Sequence, residues 1–170
     1  MVSIALCLSG CAEAPDGFPL PAQRAPLPEF RSYRQAYVVD MVDAEAEQHI
    51  VSDIFGPPGA KWRWTGKRPT LRIAFGEKLS LDFMMDLVFA DLALKDTGPV
   101  TVTFHINGHT LASVVYSQSG EHHFEKAIPE EWLERGKEAV LSAEIDKMWR
   151  EPGRDIDFGM IVESAGLRER

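Results

Sequence analysis

Cysteine is scarce in this sequence: the chain has two, Cys7 and Cys11, and residues 12–170 contain none. A structural disulfide or a cysteine-based metal site in the body of the chain is therefore excluded. Basic residues are outnumbered by acidic ones, 18 against 26, and the net charge of −8 argues against a nucleic acid partner. No apolar run approaches the roughly 20 residues that a membrane-spanning helix needs.

Recognisable catalytic motifs are also missing. The sequence has no G-x-S-x-G motif, no H-E-x-x-H motif and no phosphate-binding loop. Asp82 and Asp86 share one face of a predicted strand about 13 Å apart, which is too far for the carboxylate pair of a glycosidase. We therefore predict that the protein is not an enzyme, and that it has no catalytic residue and no cofactor.

Two sets of side chains invite interpretation as metal sites, but neither has the spacing of a known ligand motif. Asp155 and Asp157 share a strand face and, together with Asp146, offer the oxygen ligands that Ca²⁺ prefers. A polar turn and ordinary surface histidines explain all of these residues equally well, so we predict no metal site. The histidines concerned lie in or beside consecutive predicted strands and are His105, His109, His122 and His123.

The N-terminus carries a pattern typical of exported lipoproteins. An apolar stretch, Val2–Leu8, leads into Leu8-Ser9-Gly10-Cys11, which resembles the lipobox of bacterial lipoproteins. The resemblance implies that residues 1–10 are a signal peptide, that Cys11 carries lipid, and that the domain is exported and held at a membrane. It implies the outer membrane in a two-membrane bacterium, because Ala12 follows the cysteine. The alternative is an ordinary apolar N-terminus with a chance cysteine.

Residues 11–32 form the next predicted segment, a disordered tether rich in proline and without apolar periodicity. Such a segment favours an extended polyproline conformation and could hold the domain up to about 60 Å from the membrane. The remaining residues, 33–170, have the size of one domain. The tether contains Pro15, Pro19, Pro21, Pro26 and Pro28.

Alternating apolar and polar residues predict an all-β domain. The clearest alternation runs from Leu79 to Phe89, and a second one, Val100–Ile106, leads directly into the hairpin signal Asn107-Gly108. One helical turn is predicted at 129–133 and another at 44–49. Eight or nine short strands without a long helix predict an antiparallel β-sandwich or jelly roll, with a barrel as the alternative. Further strands are predicted at 110–116, 122–128, 140–145 and 156–162, and the candidates for the remaining ones are 36–42, 50–55, 61–64 and 70–75.

The order of these features over residues 50–165 resembles the galactose-binding-like jelly rolls of bacterial carbohydrate-active and cell-surface proteins. That resemblance implies an architecture, and it does not assign a function, because the fold hosts binding modules, accessory domains of enzymes and structural domains. The residues that carry it are Trp62-Arg63-Trp64-Thr65, Leu79–Phe89, Val102–Gly108, Ile128-Pro129 and 154–160.

The candidate binding residues centre on tryptophan. Trp62 and Trp64 would share a strand face about 7 Å apart, where exposed indoles can stack on sugar rings. Neighbouring basic side chains would contact an acidic sugar, a phosphate or a lipid head group. The competing interpretation is that the tryptophans fill the core and the bases lie on solvated strand edges. The predicted ligand-binding residues are Trp62, Trp64, Arg63, Lys67, Arg68 and Trp149.

Taken together, these patterns predict a lipid-anchored protein of the cell envelope whose β-sandwich binds a ligand without catalysis. The predicted partners are the membrane, reached through Cys11, and a carbohydrate. A protein-interaction or structural subunit of an envelope assembly is the first alternative, and a hydrolase is the second. The sequence favours the binding module because it combines candidate stacking residues with the absence of a catalytic motif.

Overall fold

The computed structural model describes residues 37–153 and 155–170, so the predicted lipobox and tether lie outside the described residues. Eleven strands are present in the described part of the chain, and nine of them form one antiparallel sheet that curls nearly into a barrel. This architecture confirms the predicted all-β antiparallel fold. The strands are β1 (Val38–Asp40), β2 (Ile50–Phe55), β3 (Arg63–Ala74), β4 (Leu81–Phe89), β5 (Val100–Ile106), β6 (His109–Tyr116), β7 (Gly120–Ala127), β8 (Glu138–Ile145), β9 (Trp149–Arg150), β10 (Asp157–Phe158) and β11 (Ile161–Glu169).

The helical content is small. One α-helix, α1, spans Asp91–Thr97, and single 3-10 turns span Ala44–Gln48 and Glu130–Trp132. The two turns lie where the sequence predicted helical turns. Within the described residues, no helix has the length and apolar character required to cross a membrane.

Strand β3 connects the two halves of the curled sheet. The order of strands is β6-β5-β8-β3-β11-β4-β7, with β1 added to β11 and β2 added to β3. The first residues of β3 pair with β11, as in Trp64 opposite Ile161, whereas its second half pairs with β8, as in Leu71 opposite Leu141. The beginning of β3 is therefore paired with β2 and β11, and its second half with β2 and β8.

Aromatic side chains from strands that are not neighbours in the sheet pack against one another in the core. Phe104 on β5 stacks on Phe124 of β7 with ring centres 3.6 Å apart, and Phe83 on β4 meets both rings edge-on. Pairs of this kind contribute about 0.5–1.5 kcal/mol each beyond the apolar area that they bury. The face of β4 that was predicted to be buried does lie in the core, since residues 81, 83, 85, 87 and 89 are all at most 2% exposed.

The structure differs from the sequence prediction in four places. The predicted strand 156–162 is divided between β10 and β11, and strand β9 was not predicted. The predicted strands 61–64 and 70–75 are one continuous strand, β3, because β2 remains paired along it through two register shifts. Helix α1 was not predicted. Its N-cap residue, Ala90, has no side chain that can cap a helix, so the usual start signal is missing. The helix follows directly on the apolar alternation of β4, which hides where the strand ends.

Candidate functional site

An open cleft lies beside the beginning of β3 and has a volume of about 310 Å³. This volume is at the lower end of the range that is usual for small-molecule sites, and aromatic side chains form most of its walls. Its lining residues are Phe55, Gly56, Trp64, Trp149, Glu151 and Phe158.

The aromatic walls come from two hairpins. In the first, Phe55 of β2 lies opposite Trp64 of β3. In the second, Trp149 of β9 lies opposite Phe158 of β10. The indoles of Trp64 and Trp149 stack with ring centres 6.1 Å apart and planes 27° apart, and Phe158 lies 5.0 Å from Trp64. The rings therefore form one cluster, which we call the aromatic cluster: Trp64, Trp149 and Phe158.

Backbone pairing with β3 fixes the position of Phe158. The amide of Gly159 donates to the carbonyl of Thr65 at 2.8 Å, and the amide of Thr65 donates to the carbonyl of Met160 at 2.8 Å. The buried hydroxyl of Thr65 adds a bond to each polar atom of the Met160 backbone, both at 3.0 Å. Only glycine fits at 159, because a Cβ there would overlap Ile145 and lie 2.8 Å from the carbonyl oxygen of Gly66.

Helix α1 holds Trp149 in place. The indole Nε1 of Trp149 donates a hydrogen bond of 2.9 Å to Oδ2 of Asp96, near the end of the helix. Ala93, one turn earlier, is buried against Trp149 and Phe158. Lys147 fastens the end of the helix, since its Nζ donates to the carbonyl of Pro99 at 2.6 Å. Helix α1, which the sequence did not predict, is thus the support of one wall of the cleft.

The β9–β10 hairpin is closed by ion pairs on its outer side. Arg150 donates from Nε and from one terminal nitrogen to the two carboxylate oxygens of Asp157, at 2.6 and 3.0 Å. This hydrogen bonding lowers the pKa of the Asp157 carboxyl. Asp155 lies 3.5 Å from the same guanidinium, whereas Asp146 accepts from the amide of Thr101. The three aspartates considered as Ca²⁺ ligands therefore have other partners.

Two of the predicted ligand-binding residues, Trp64 and Trp149, are brought together at the cleft. Trp62 is 47% exposed and does not line the cleft. It precedes the first residue of β3, so the strand alternation that was expected to align it with Trp64 does not extend to it. The predicted platform of Trp62 and Trp64 is therefore replaced by a different tryptophan pair.

Arg63, which was predicted to contact a ligand, is buried behind the cleft. Its side chain is 1% exposed and its guanidinium is directed inward, where it pairs with Glu47 and donates to the carbonyl of Met41 at 3.2 Å. The aliphatic part of Arg63 lies behind Gly56, whose missing Cβ would be 3.3 Å from it. Arg63 thus supports the wall of the cleft from behind. The strand alternation already implied this placement, because adjacent residues of a strand point to opposite faces.

Lys67 and Arg68 are exposed on β3, and neither lines the cleft. The backbone amide of Arg68 donates to Oδ2 of Asp53 at 2.8 Å. Asp53 has a φ of 57° in the irregular part of β2, and its carboxylate occupies the space that a side chain at position 66 would need. The predicted basic patch is thus a feature of the strand surface and does not reach the aromatic cluster.

Sequence reasoning missed Phe55, Phe158 and Glu151. Phe55 and Phe158 gave a usable signal, since each is an aromatic residue at the end of a short strand next to a glycine-containing turn. Glu151 gave none, because nothing in its local sequence distinguishes it from other acidic residues of surface loops.

The four strand histidines do not converge. His105 bonds to Thr110, His109 stacks on Trp132, His122 lies against Phe89 and Tyr116, and His123 contacts two carboxylates. Across residues 37–153 and 155–170, no group of three or more histidine, cysteine or acidic side chains has an arrangement that could hold a metal ion.

This chain is similar in fold to several solved structures. No family model matches the sequence, and no curated protein matches it. A family GH115 4-O-methyl-α-glucuronidase with specificity for decorated arabinogalactans is similar over 86% of this chain and 19% of its own, with 13% identity and a TM-score of 0.49. This chain therefore spans about a fifth of that protein.

Two smaller domains match over most of their own length. A family 35 carbohydrate binding module from Clostridium thermocellum is 11% identical, with 78% of this chain and 98% of that chain covered and a TM-score of 0.45. A CBM35 from Paenibacillus barcinonensis is 9% identical, with 80% and 95% covered and a TM-score of 0.37. At these values the likenesses carry no argument about a ligand.

Proposed function

We propose that this domain is a non-catalytic binding module that holds carbohydrate in the cleft beside β3. The observation that carries the proposal is the aromatic cluster, whose rings form the walls of an open cleft. Aromatic faces attract the polarised C–H groups on one side of a sugar ring, and the hydroxyl groups at its edge remain free for polar contacts.

The cleft has the properties of a prepared binding surface. Its rings are held by backbone hydrogen bonds, by the bond from Trp149 to Asp96 and by packing on α1, so little conformational freedom is left to lose when a ligand binds. Phe55, at the rim, is 45% exposed although it is large and apolar. Its ring therefore offers an accessible apolar face beside the cleft.

The test uses two tryptophans two residues apart. We expect Trp64→Ala to weaken binding to a panel of neutral, acidic and amino polysaccharides by at least about tenfold, because it removes a stacking wall. Trp62→Ala is the matched control and is expected to leave binding unchanged, since Trp62 lies outside the cleft. Affinity electrophoresis measures binding, and near-ultraviolet circular dichroism verifies that each variant is folded.

Three outcomes would contradict the proposal. Failure of the folded wild-type protein to bind any polysaccharide of the panel would favour the protein-interaction alternative. Loss of binding in Trp62→Ala but not in Trp64→Ala would place the ligand outside the cleft. If Trp64→Ala fails to fold, Phe55→Ala replaces it, and unchanged binding in that variant would also contradict a site in the cleft.

We also propose that the domain is exported and held at the cell envelope by lipid on Cys11, on the outer membrane in a two-membrane bacterium. The support is the pattern Leu8-Ser9-Gly10-Cys11 after an apolar stretch. The expected result is that the full chain, expressed in a bacterium, partitions into detergent and that Cys11→Ser releases it into the aqueous phase. Equal partitioning of the two forms would contradict the anchor.

A further inference from the structure

The connection between β2 and β3 presents a continuous apolar surface. Residues 56–62 read Gly-Pro-Pro-Gly-Ala-Lys-Trp and include no acidic, hydroxyl or amide side chain. All of them except Ala60 are exposed, and Phe55, the last residue of β2, adds a second exposed aromatic ring to that of Trp62. We call residues 55–62 the β2–β3 loop. Contiguous exposed apolar surface of this kind marks a contact with another molecule or with a membrane.

The backbone of the β2–β3 loop has few free polar groups. Pro57 and Pro58 lack an N–H, and the amide of Ala60 donates to the carbonyl of Pro57 at 3.2 Å. An N–H group without a partner destabilises any segment that leaves water for an apolar environment. The missing donors therefore lower the free energy that the loop needs to enter the head-group region of a bilayer.

The side chains of the loop suit the boundary between lipid and water. The indole of Trp62 combines an apolar ring with one polar N–H, and such rings are enriched at membrane interfaces. The long apolar stem of Lys61 can lie along lipid while its ammonium group stays among the phosphates. Lys61 and Lys67, the next exposed base of β3, have no ion pair with any residue that the structure describes.

We propose that the β2–β3 loop docks on a lipid surface, with the ring of Trp62 among the head groups and the ammonium group of Lys61 directed to their phosphates. The contact is independent of the carbohydrate function and of the lipid on Cys11. A lipid surface is favoured over a protein partner because a protein interface of standard size carries about ten direct hydrogen bonds, and this loop has almost no side chains to make them.

Docking gives the cleft an orientation. Phe55 and Gly56 belong both to the β2–β3 loop and to the lining of the cleft, so docking holds the cleft beside the head groups. Binding at a membrane surface strengthens with the apolar area that is buried, and one short loop buries little. The loop therefore orients a domain that is already close to a membrane and does not recruit it there alone.

The first experiment measures flotation of the full chain with vesicles of phosphatidylglycerol and phosphatidylcholine in equal amounts. All proteins carry Cys11→Ser, so that no lipid can be attached and the N-terminal residues are the same throughout. We expect Trp62→Ala to weaken binding about tenfold, because it removes the largest apolar side chain of the loop. Trp64→Ala is the matched control and is expected to bind vesicles like the parent protein, since that ring belongs to the aromatic cluster.

The second experiment tests the charge of the loop. A lysine next to an anionic membrane surface contributes about fivefold to binding, so Lys61→Gln is expected to weaken binding to the mixed vesicles by that factor. On vesicles of phosphatidylcholine alone it should have no effect. The matched control is Lys137→Gln, an exposed lysine beside Glu138, which pairs with Ala74 at the opposite end of β3. This variant should bind like the parent protein on both kinds of vesicle.

The two tryptophan variants also separate this proposal from the carbohydrate function. Trp62→Ala should lose vesicle binding and keep polysaccharide binding, and Trp64→Ala should do the reverse. Flotation of Trp62→Ala at the level of the parent protein overturns the membrane contact and leaves the carbohydrate function standing. Absence of flotation of the folded parent protein also overturns it and leaves a protein partner as the occupant of the loop. If Trp62→Ala fails to fold by circular dichroism, unchanged flotation of Lys61→Gln on the mixed vesicles overturns the proposal instead.

Discussion

Two groups of side chains on this domain differ in how far their members bond to one another: the aromatic cluster and a polar network on the opposite type of surface, the exposed face of the sheet. The aromatic cluster faces an open cleft. The other grouping, which we call the outer network, lies on the outward face of β4, β7 and β11 and consists of Asp86, His123, Glu125, Ser164 and Arg168. There, Asp86 accepts hydrogen bonds from His123 and Ser164, both at 2.6 Å, and Glu125 accepts two from Arg168.

The comparison separates a structural polar network from a surface suited to a ligand. The outer network resembles catalytic machinery in composition, with serine, histidine and aspartate, but its order of contacts is wrong. The hydroxyl of Ser164 bonds to Asp86 and the histidine does not contact the serine, so no base is placed to activate the nucleophile. The aromatic cluster has fewer polar groups, yet its rings are held in place and line an open cleft.

The largest expected effect on stability comes from disrupting the aromatic cluster. Trp149→Ala removes a 9% exposed ring that contacts Trp64, Phe158 and Asp96. We expect a loss of about 3 kcal/mol in the free energy of unfolding, because the cavity adds to the lost burial. Urea denaturation measures it. A loss below about 1 kcal/mol would mean that the cluster is a loose surface feature.

Gly159→Ala is expected to have the next largest effect. An added Cβ overlaps Ile145 and approaches the backbone of Gly66, so the segment that carries Phe158 must move away from β3. We expect a loss of about 2 kcal/mol in the free energy of unfolding. The outer network should be unaffected, and an unchanged His123 resonance in a nuclear magnetic resonance titration is the check. A stable Gly159→Ala protein would contradict the tight packing of this segment.

Asp96 allows the contribution of a single polar contact to the aromatic cluster to be measured, since it accepts the hydrogen bond from the indole of Trp149. Asp96→Ala removes the acceptor for Trp149 Nε1 and is expected to cost about 1 kcal/mol, whereas Asp96→Asn retains an acceptor and should cost less. The near-ultraviolet circular dichroism of the stacked tryptophans should change in the alanine variant only. Identical spectra for both variants would show that packing on α1 alone orients the ring.

The smallest expected effect concerns the outer network and depends on pH. The hydrogen bond to Asp86 and the contact with Glu125 raise the pKa of His123 above its ordinary value of 6.5. The stabilisation is therefore fully present below about pH 6.5 and is lost as the pH rises through the raised pKa of His123. Both partners are partly exposed, so we expect less than about 1 kcal/mol.

The measurement is the difference in melting temperature between the wild-type protein and His123→Gln across this range. The difference should shrink as the pH rises. Burial raises the pKa of Asp86, but the hydrogen bonds from His123 and Ser164 outweigh that effect and lower it, so the carboxylate side of the pair is lost only under acidic conditions. A difference that grows with rising pH would contradict this assignment.

Much of the fold could be read from the sequence because each strand of a curled sheet buries one face. In β4, apolar residues occupy every second position from Leu81 to Phe89 and indicate the buried face, although Met84 and Val88 interrupt the polar side. Asn107-Gly108 indicates a hairpin, with Asn107 at a φ of 49°. Helix α1 escaped prediction because its stability depends on contacts of Ala93 and Asp96 with a hairpin that is distant in the sequence.

The sequence by itself determined the all-β class, the approximate positions of the strands and two of the aromatic residues at the cleft, Trp64 and Trp149. The strand positions follow from local periodicity, and the two tryptophans were identified because an indole can stack on a ligand. Only the tertiary structure decided that Trp64 stacks on Trp149, that Arg63 lies behind the cleft and that Glu151 lines it. Such placements depend on strand pairing between remote segments, which local sequence does not encode.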